Sequence, residues 1–221
     1  AGPYSTQWQY HMIRFVKECE AAKPRQHPVG MTFQYKGGRN ADLFHSPADW
    51  ISPNPEGGYQ DDPPAADGAK VIISDTDHLW GIGGDHVWVW KSFLRGLHPI
   101  YMDPFDAETS PFGGKPVEAI RKNLGYVQAY ARKMDLAAMS PRSNLASTGY
   151  CLASPGQEFL IYLDTGGSVS VDLSRLSGPA VVEWFDTREG KTVAGDAVEG
   201  GASRTFEAPF EGDAVLHIKA Q

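Results

Sequence analysis

The arrangement of apolar and polar residues divides the chain into two regions that meet near residue 135. In the first region, stretches with apolar residues at helical spacing alternate with short apolar runs that are typical of strands. The predicted helices are STQWQYHMIRFVKECEAA, DHVWVWKSFLRG and KPVEAIRKNLGYVQAYARKM, and the predicted strands are HPVGMTFQY, ADWISP, AKVIISD and HPIYMD. Strands separated by helices or long loops indicate parallel pairing through right-handed crossovers.

The second region has the pattern of an antiparallel β-sandwich. Short alternating runs are separated by the turn-forming sequences PGQ, TGG, SGP, REG and EGD, which is typical of such folds. The runs are YCLAS, EFLIYLD, SVSVDL, AVVEWFD, RTFEAPF and AVLHIKA. We therefore predict an α/β domain over residues 1–135 and an all-β accessory domain over residues 136–221. The second domain has few polar clusters, which favours a packing or binding module.

Composition excludes several classes of partner. The chain has 221 residues, of which 41% are hydrophobic, and a formal net charge of -7. A negative charge of this size argues against nucleic acid and anionic membranes as partners. The two cysteines, Cys19 and Cys151, form neither a metal-binding pattern nor a disulfide framework. We identify no signal peptide and no candidate transmembrane segment.

Polar and aromatic residues stand close to each predicted strand. In parallel α/β folds, functional groups lie at the carboxyl ends of the strands. The residues concerned are Gln34, Tyr35, Asp49, Trp50, Asp75 and Asp103. Any single aspartate of this kind is more often a turn or cap residue than a catalytic one. The run DTDH is harder to explain in this way, because two acids and a histidine beside an apolar strand are costly unless they are paired or used.

The tryptophans bear on what the site binds. Trp80, Trp88 and Trp90 crowd one connection. Trp88 and Trp90 are two positions apart, so a helix cannot place both on one face; we predict that one packs in the core and the other faces a cleft. Aromatic rings beside carboxylates suit sugar recognition, although they suit a simple core almost as well.

A metal site is the alternative use of the same polar residues. Its ligands would be Asp75, Asp77, His78 and His86. Their spacing matches no strong ligand pattern. We therefore predict neither a metal nor another cofactor.

Three stretches together resemble the later part of a clan-A-type glycoside hydrolase barrel. They are STQWQYHMIRFVKECEAAKPRQHPVGMTFQY, LFHSPADWISPN and VIISDTDHLWGIGGDHVWVWKSFLRGLHPIYMDPF. More narrowly, the chain is similar to bacterial glycosidase-like proteins that join a TIM barrel to a C-terminal sandwich, often described as a collagen-binding domain. The resemblance implies half of a (β/α)₈ barrel, with HPVGMTFQY, ADWISP, KVIISD and HPIYMD as strands 5 to 8.

The resemblance also implies roles for single residues. In such hydrolases the general acid/base follows strand 4 and the nucleophile follows strand 7. Strand 7 here ends in Asp75 and Asp77, whereas the sequence begins after the expected strand-4 acid. Because glycoside hydrolysis ordinarily needs two carboxyl groups, a partner acid is expected from Glu56, Asp49 or Asp103. The candidate catalytic residues are Asp75, Asp77, His78, Glu56, Asp49 and Asp103, and the candidate substrate-binding residues are Gln34, Tyr35, Trp50, Trp80, Trp88 and Tyr101.

Two classes of function follow from these expectations. The first is a glycoside hydrolase that acts on plant or bacterial oligo- or polysaccharides; the second is a non-catalytic carbohydrate- or matrix-binding fragment of a larger glycosidase. The resemblance implies an extracellular or periplasmic bacterial protein. Half a barrel also leaves two unpaired strand edges, so we expect either a homodimer or covering of an edge by the loop 36–69.

Overall fold

The computed structural model describes residues 2, 4–81, 83–103 and 117–221, and it divides into two compact units. Unit 1 comprises residues 1–84 and 97–115, and unit 2 comprises residues 85–96 and 116–221. The units are thus interleaved along the chain, and the domain boundary near residue 135 stays a prediction. None of the described helices has the length and apolar character needed to span a membrane.

Unit 1 is built around an open parallel sheet. Its elements are α1 (Ser5–Glu20), β1 (Gly30–Thr32), α2 (Asn40–His45), β2 (Trp50–Ser52), β3 (Val71–Asp75), α3 (Thr76–Trp80) and β4 (His98–Ile100). The strands lie in the order β1-β2-β3-β4, and each neighbouring pair is parallel. The four predicted strands therefore form one sheet in chain order, and this sheet does not close on itself.

Residue size and alternation explain this sheet. Along β3, Ile72 and Ser74 are buried, while Val71, Ile73 and Asp75 point to the less covered face. Gly30 lies under the indole of Trp50, where an added Cβ would come 2.0 Å from the ring. Glycine is therefore required for β1 to pack closely beside β2.

Unit 2 combines two helices with antiparallel sheets. Its elements are α4 (His86–Leu94), α5 (Val117–Lys133), β5 (Ser140–Pro141), β6 (Cys151–Ser154), β7 (Glu158–Leu163), β8 (Ser168–Asp172), β9 (Pro179–Asp186), β10 (Lys191–Ala194), β11 (Val198–Glu199), β12 (Ser203–Glu207) and β13 (Ala214–Ala220). The larger sheet has the order β10-β9-β13-β7-β6-β5, with β11 also paired to β9, and β12 pairs with β8. All six predicted strands are present.

The central strands β7 and β13 of the larger sheet of unit 2 are covered on both faces. One face joins the sandwich core, in which Ile161, Trp184 and Leu216 pack near Val171 of β8. The other face packs against α4 and α5. There Trp90 of α4 is 0% exposed, and its ring lies 6.1 Å from Tyr162, 6.1 Å from Phe185 and 5.8 Å from Tyr130 between centroids.

The helix α4 corrects the prediction about the tryptophans. Both Trp88 and Trp90 are buried, at 3% and 0% exposure. Neither faces a cleft, because α4 is buried on two sides rather than one. The Nε1 of Trp90 donates a hydrogen bond of 2.7 Å to Asn123 Oδ1 on α5, which satisfies the one polar group of the indole.

Candidate functional site

The carboxyl ends of three neighbouring strands in unit 1 meet around His78. Its Nδ1 lies 2.7 Å from Ser52 Oγ at the end of β2. Its ring packs edge-on against Phe33, which directly follows β1, with centroids 4.9 Å apart and an interplanar angle of 86°. We call Phe33, Ser52, Asp75, Asp77 and His78 the carboxyl edge. Its histidine is fixed by a hydrogen bond on one side and an aromatic ring on another.

Asp75 ends β3 and begins the short helix α3. Its Oδ1 accepts a hydrogen bond of 2.9 Å from the Asp77 backbone N–H, so it is an N-cap residue as well as a strand-end carboxylate. Asp77 lies in the first helical turn with its side chain exposed. A helix N-terminus favours negative charge, so acidic residues suit both positions.

The segment after β4 reaches the same edge. The Met102 backbone N–H donates a hydrogen bond of 2.8 Å to Thr76 Oγ1 at the start of α3. Tyr101 is half-buried and Asp103 is exposed beside it. The structure therefore brings Tyr101 and Asp103 to the carboxyl side of the sheet, as the sequence predicts.

Glu56 lies in the loop after β2 and supports a neighbouring helix. Its Oε2 accepts a hydrogen bond of 3.1 Å from the backbone N–H of Asn40, the first residue of α2. The buried Asn40 amide in turn donates to the carbonyl oxygens of Asn54 and Glu56, at 3.1 Å and 2.8 Å. Glu56 is on the predicted side of the sheet, but its carboxylate contributes to holding this loop.

Asp49 lies at the amino ends of the parallel strands, which we call the amino edge, opposite the carboxyl edge. It precedes β2, and it bonds to Lys17 Nζ at 2.6 Å and to the Val29 backbone N–H at 2.8 Å. The hydrogen bond from Lys17, with that from Val29, holds the pKa of Asp49 below its usual range. The prediction that Asp49 lies at a carboxyl strand end is wrong, since the length of β3, about 13 Å at 3.3 Å per residue, separates this edge from Asp75.

The structure places the remaining predicted substrate-binding residues in three different environments. Gln34 bonds back to α1 through Gln9, at 2.7 Å, and Trp50 lines a cavity of about 310 Å³ beside α1 and β1 at the amino side. Tyr35 is 78% exposed just after β1, and Trp80 ends α3 half-buried; both belong to the carboxyl side. The prediction that Trp88 contacts substrate is wrong, because its side chain is only 3% exposed.

Two residues of the carboxyl edge were not predicted. Ser52 ends β2, as Asp75 ends β3, and Phe33 directly follows β1. Their position at the strand ends could have indicated them, but a single phenylalanine or serine does not by itself suggest a catalytic or binding role. In the described ranges, no group of three histidine, cysteine or acidic side chains is arranged to hold a metal ion; His86 instead lies 3.3 Å from Asp213 within unit 2.

One known family matches part of unit 2. Residues 141–218 match the family described as "Putative collagen-binding domain of a collagenase". This match covers β6 to β12 entirely and most of the sandwich. No curated protein sequence matches the chain significantly.

Comparison with solved structures shows a glycosidase-related fold. A glycoside hydrolase is similar with a TM-score of 0.54 and 15% identity, over 71% of this chain and 44% of its own length. A family 5 glycoside hydrolase from Bacteroides vulgatus gives 0.57 and 10%, over 97% and 67%. A noncanonic maltogenic alpha-amylase from Thermotoga neapolitana gives 0.50 and 10%, over 100% and 60%. The chain thus spans between about half and two thirds of the length of these proteins.

Proposed function

We propose that the chain belongs to a glycoside hydrolase that cleaves oligo- or polysaccharides at the carboxyl edge of unit 1. The observation that carries this proposal is the convergence of Phe33, Ser52, Asp75 and His78 at three strand ends. Enzymes with parallel α/β sheets place their chemistry at this edge. The likeness to glycoside hydrolase structures supports the same class of reaction.

Asp75 is the proposed nucleophile or base. It stands where the backbone is held by β3, and rigid elements position reacting groups best. Hydrolysis needs a second carboxyl group about 5–5.5 Å away for retention, or about 6.5–9.5 Å away for inversion. Asp77 and Asp103 lie on the correct side for this role, whereas Asp49 does not and Glu56 already caps α2. His78 orients a carboxylate or a sugar hydroxyl.

The open sheet corresponds, in this proposal, to strands 5 to 8 of a (β/α)₈ barrel. The order β1-β2-β3-β4 and the parallel pairing support that assignment. Both β1 and β4 are edge strands of the described sheet, and exposed edges favour association. We therefore propose a homodimer joined through these edges; light scattering should give twice the mass of the chain, and a clean monomer would contradict it. An extracellular or periplasmic site of action fits a polymeric substrate.

Non-catalytic binding is the second candidate function. The family match over residues 141–218 favours it, because that family is described by what it binds. Under this alternative, unit 2 attaches to carbohydrate or matrix and unit 1 carries no turnover of its own.

A release assay separates the two candidates. The parent chain is incubated with a panel of aryl glycosides and polysaccharides, and reducing sugar is measured. Asp75→Asn should lower turnover by about a thousandfold or more, since the change removes the charge and keeps the shape. Asp77→Asn is the paired variant, and circular dichroism checks folding. Near-full activity in both variants would overturn the proposal, and no release from any substrate by the parent would favour binding alone.

A further inference from the structure

We infer that a slot on unit 2 binds one sugar residue of a neutral polysaccharide chain. This inference rests on the proposed function, because it gives unit 2 a binding site for the polymer that unit 1 cleaves. The slot has a volume of about 160 Å³ and is lined by Tyr126, Ala129, Tyr130, Lys133, Glu183, Phe185 and Thr192. Pockets for drug-sized ligands measure roughly 300–1,000 Å³, so this slot suits a single ring.

Three aromatic rings form the apolar part of the slot. Tyr126 and Tyr130, on α5, stand edge-to-face with Phe185 of β9, at centroid distances of 5.0 Å and 5.7 Å. Tyr130 and Phe185 are buried, at 5% and 6% exposure, while Tyr126 is half-buried and presents most of the accessible aromatic surface. Rings that brace one another in this way present a rigid apolar surface with little entropy to lose on binding, and such a surface matches the C–H face of a pyranose.

A tight turn fixes the most accessible of these rings. Gly190, in the turn between β9 and β10, has φ 67, and a Cβ on it would come 2.3 Å from the Tyr126 hydroxyl oxygen. Only glycine can adopt this backbone conformation cheaply and also leave room for the phenol. The turn thereby holds Tyr126 in place at one end of the slot.

Charged groups stand at the other end of the slot. Lys133 Nζ lies 2.5 Å from Glu183 Oε1 and 5.3 Å from the centre of the Tyr130 ring. Both side chains are partly exposed, at 45% and 28%. With the hydroxyls of Tyr126 and Thr192, the slot offers donors and acceptors of hydrogen bonds beside its apolar surface.

The slot continues along the edge of the sheet. The register pairs Phe185 with Thr192 and Glu183 with Ala194, so these residues share one face of β9 and β10. Val181 follows on the same face and is 51% exposed. From Phe185 to Val181 the strand runs about 13 Å, which gives a linear polymer a surface to follow beyond the bound ring.

Hydrogen-bonding capacity favours a sugar over a proline-rich polypeptide. Both ligands fit aromatic grooves. A polyproline II segment rich in proline offers carbonyl acceptors and few N–H donors, so it adds few hydrogen bonds to the carboxylate of Glu183, which is already paired with Lys133. Sugar hydroxyls donate as well as accept, and they can satisfy Glu183, Lys133 and the Tyr126 hydroxyl together.

Affinity gel electrophoresis of the full chain tests this inference. The gels contain hydroxyethyl cellulose, galactomannan, arabinoxylan or dextran, and one further gel contains gelatin. We expect at least one polysaccharide to retard the chain. Tyr126→Ala should weaken that affinity about tenfold, and Ala129→Gln should do the same by filling the slot from an exposed helical position. Tyr4→Ala, which removes an exposed tyrosine from unit 1, is the matched control and should leave retardation unchanged.

The outcomes separate this inference from the proposed function. Retardation that survives in Asp75→Asn and is lost in the slot variants supports the slot, whether or not the parent releases sugar. No retardation in any polysaccharide gel, or retardation that both slot variants leave intact, overturns it. Retardation by gelatin alone, lost in the same two variants, would assign the slot to polypeptide and would also overturn it.

Discussion

The two units differ in how completely their β-sheets are buried. In unit 2, the strands β7, β9 and β13 have six, eight and seven residues, and most of these residues are buried on both faces of the sheet. In unit 1, the strands β1, β2 and β4 have three residues each. Large apolar side chains stay exposed there, among them Trp8 at 62% and Ile100 at 46%.

The difference reflects the two kinds of strand pairing. An antiparallel sandwich buries its sheets against each other and against added helices, so its core is complete within one unit. Parallel sheets are ordinarily covered on both faces. The sheet of unit 1 keeps the less covered face that Val71 and Asp75 share. The unit with the candidate chemistry is thus the one with the smaller core, and the unit with the larger core carries the family match.

Matched tryptophan substitutions should show this contrast most strongly. Trp90→Ala removes the ring that joins α4 to Tyr162 and Phe185, and we expect a loss of about 3–5 kcal/mol in the free energy of unfolding of unit 2. Trp8→Ala changes an exposed side chain, so unit 1 should lose about 0.5 kcal/mol or less. Hydrogen exchange of the strands in each unit measures both effects. Equal losses would mean that unit 1 has a core as complete as that of unit 2.

A pair of glycine substitutions tests the turn that fixes Tyr126. Gly190→Ala should destabilise unit 2 by about 2–3 kcal/mol, because it adds backbone strain and a clash with the phenol. Gly178→Ala is the control: it has a similar φ of 76, and nothing lies within 4 Å of the added Cβ. It should cost about 1 kcal/mol, as urea unfolding will show. Equal costs would remove the packing argument for Tyr126.

The contact between His86 and Asp213 should make the stability of unit 2 depend on pH. The hydrogen bond with Asp213 raises the pKa of His86 against the effect of burial. Burial alone would raise the pKa of Asp213, but hydrogen bonds from His86, Thr187 and Tyr162 outweigh it and lower that pKa. The histidine contribution is present below about pH 6.5 and is lost as pH rises through its raised pKa; the aspartate contribution is present above about pH 4 and is lost as pH falls.

His86→Gln measures that contribution directly. We expect the variant to lose about 1 kcal/mol of unfolding free energy near pH 5.5 and less near pH 8.5, because the contribution of the protonated histidine is lost as pH rises through its raised pKa. Denaturant unfolding at the two pH values checks this. A loss that is the same at both would show that the imidazole acts by packing and not by charge.

The smallest expected effect concerns the amino edge of unit 1. The pair Lys17–Asp49, at 2.6 Å, is more than one third exposed on both sides, so Lys17→Met should cost under about 1 kcal/mol, and added salt should reduce the difference further. Hydrogen exchange in β1 and β2 is the measurement. A larger, salt-independent loss would make Asp49 a central support of the sheet.

The sequence predicted the helices and strands better than it predicted the environment of single residues. Short apolar runs were sufficient for the four strands of unit 1, and alternation was sufficient for the six long runs of unit 2. It missed β10, where all four residues are exposed, and the two-residue strands β5 and β11, because these show no alternation. The position of Asp75 followed from the apolar run before it, whereas Asp49 was misplaced, since a strand of three residues leaves its direction and ends ambiguous.

The contacts that the sequence did not predict depend on packing between residues far apart in the chain. Nothing local in DHVWVWKSFLRG indicates the contacts of Trp90, because its partners Asn123, Tyr162 and Phe185 lie far away in the chain. The same holds for Phe33 and Ser52, whose importance comes from their contacts with His78. Neither contact has a signature in the periodicity of one segment.

The central claim is that sugar binds at the carboxyl edge of unit 1, and a hydrogen-exchange footprint tests it most directly. The full chain carrying Asp75→Asn is measured with and without the saccharide that the parent cleaves or that retards it in gels. Exchange should slow in the peptides containing residues 33–35 and 75–80, with or without protection at 126–133, and peptides over 29–31 and 47–50 should not change. Protection confined to the amino-edge peptides, or protection of unit 2 alone, would contradict the account.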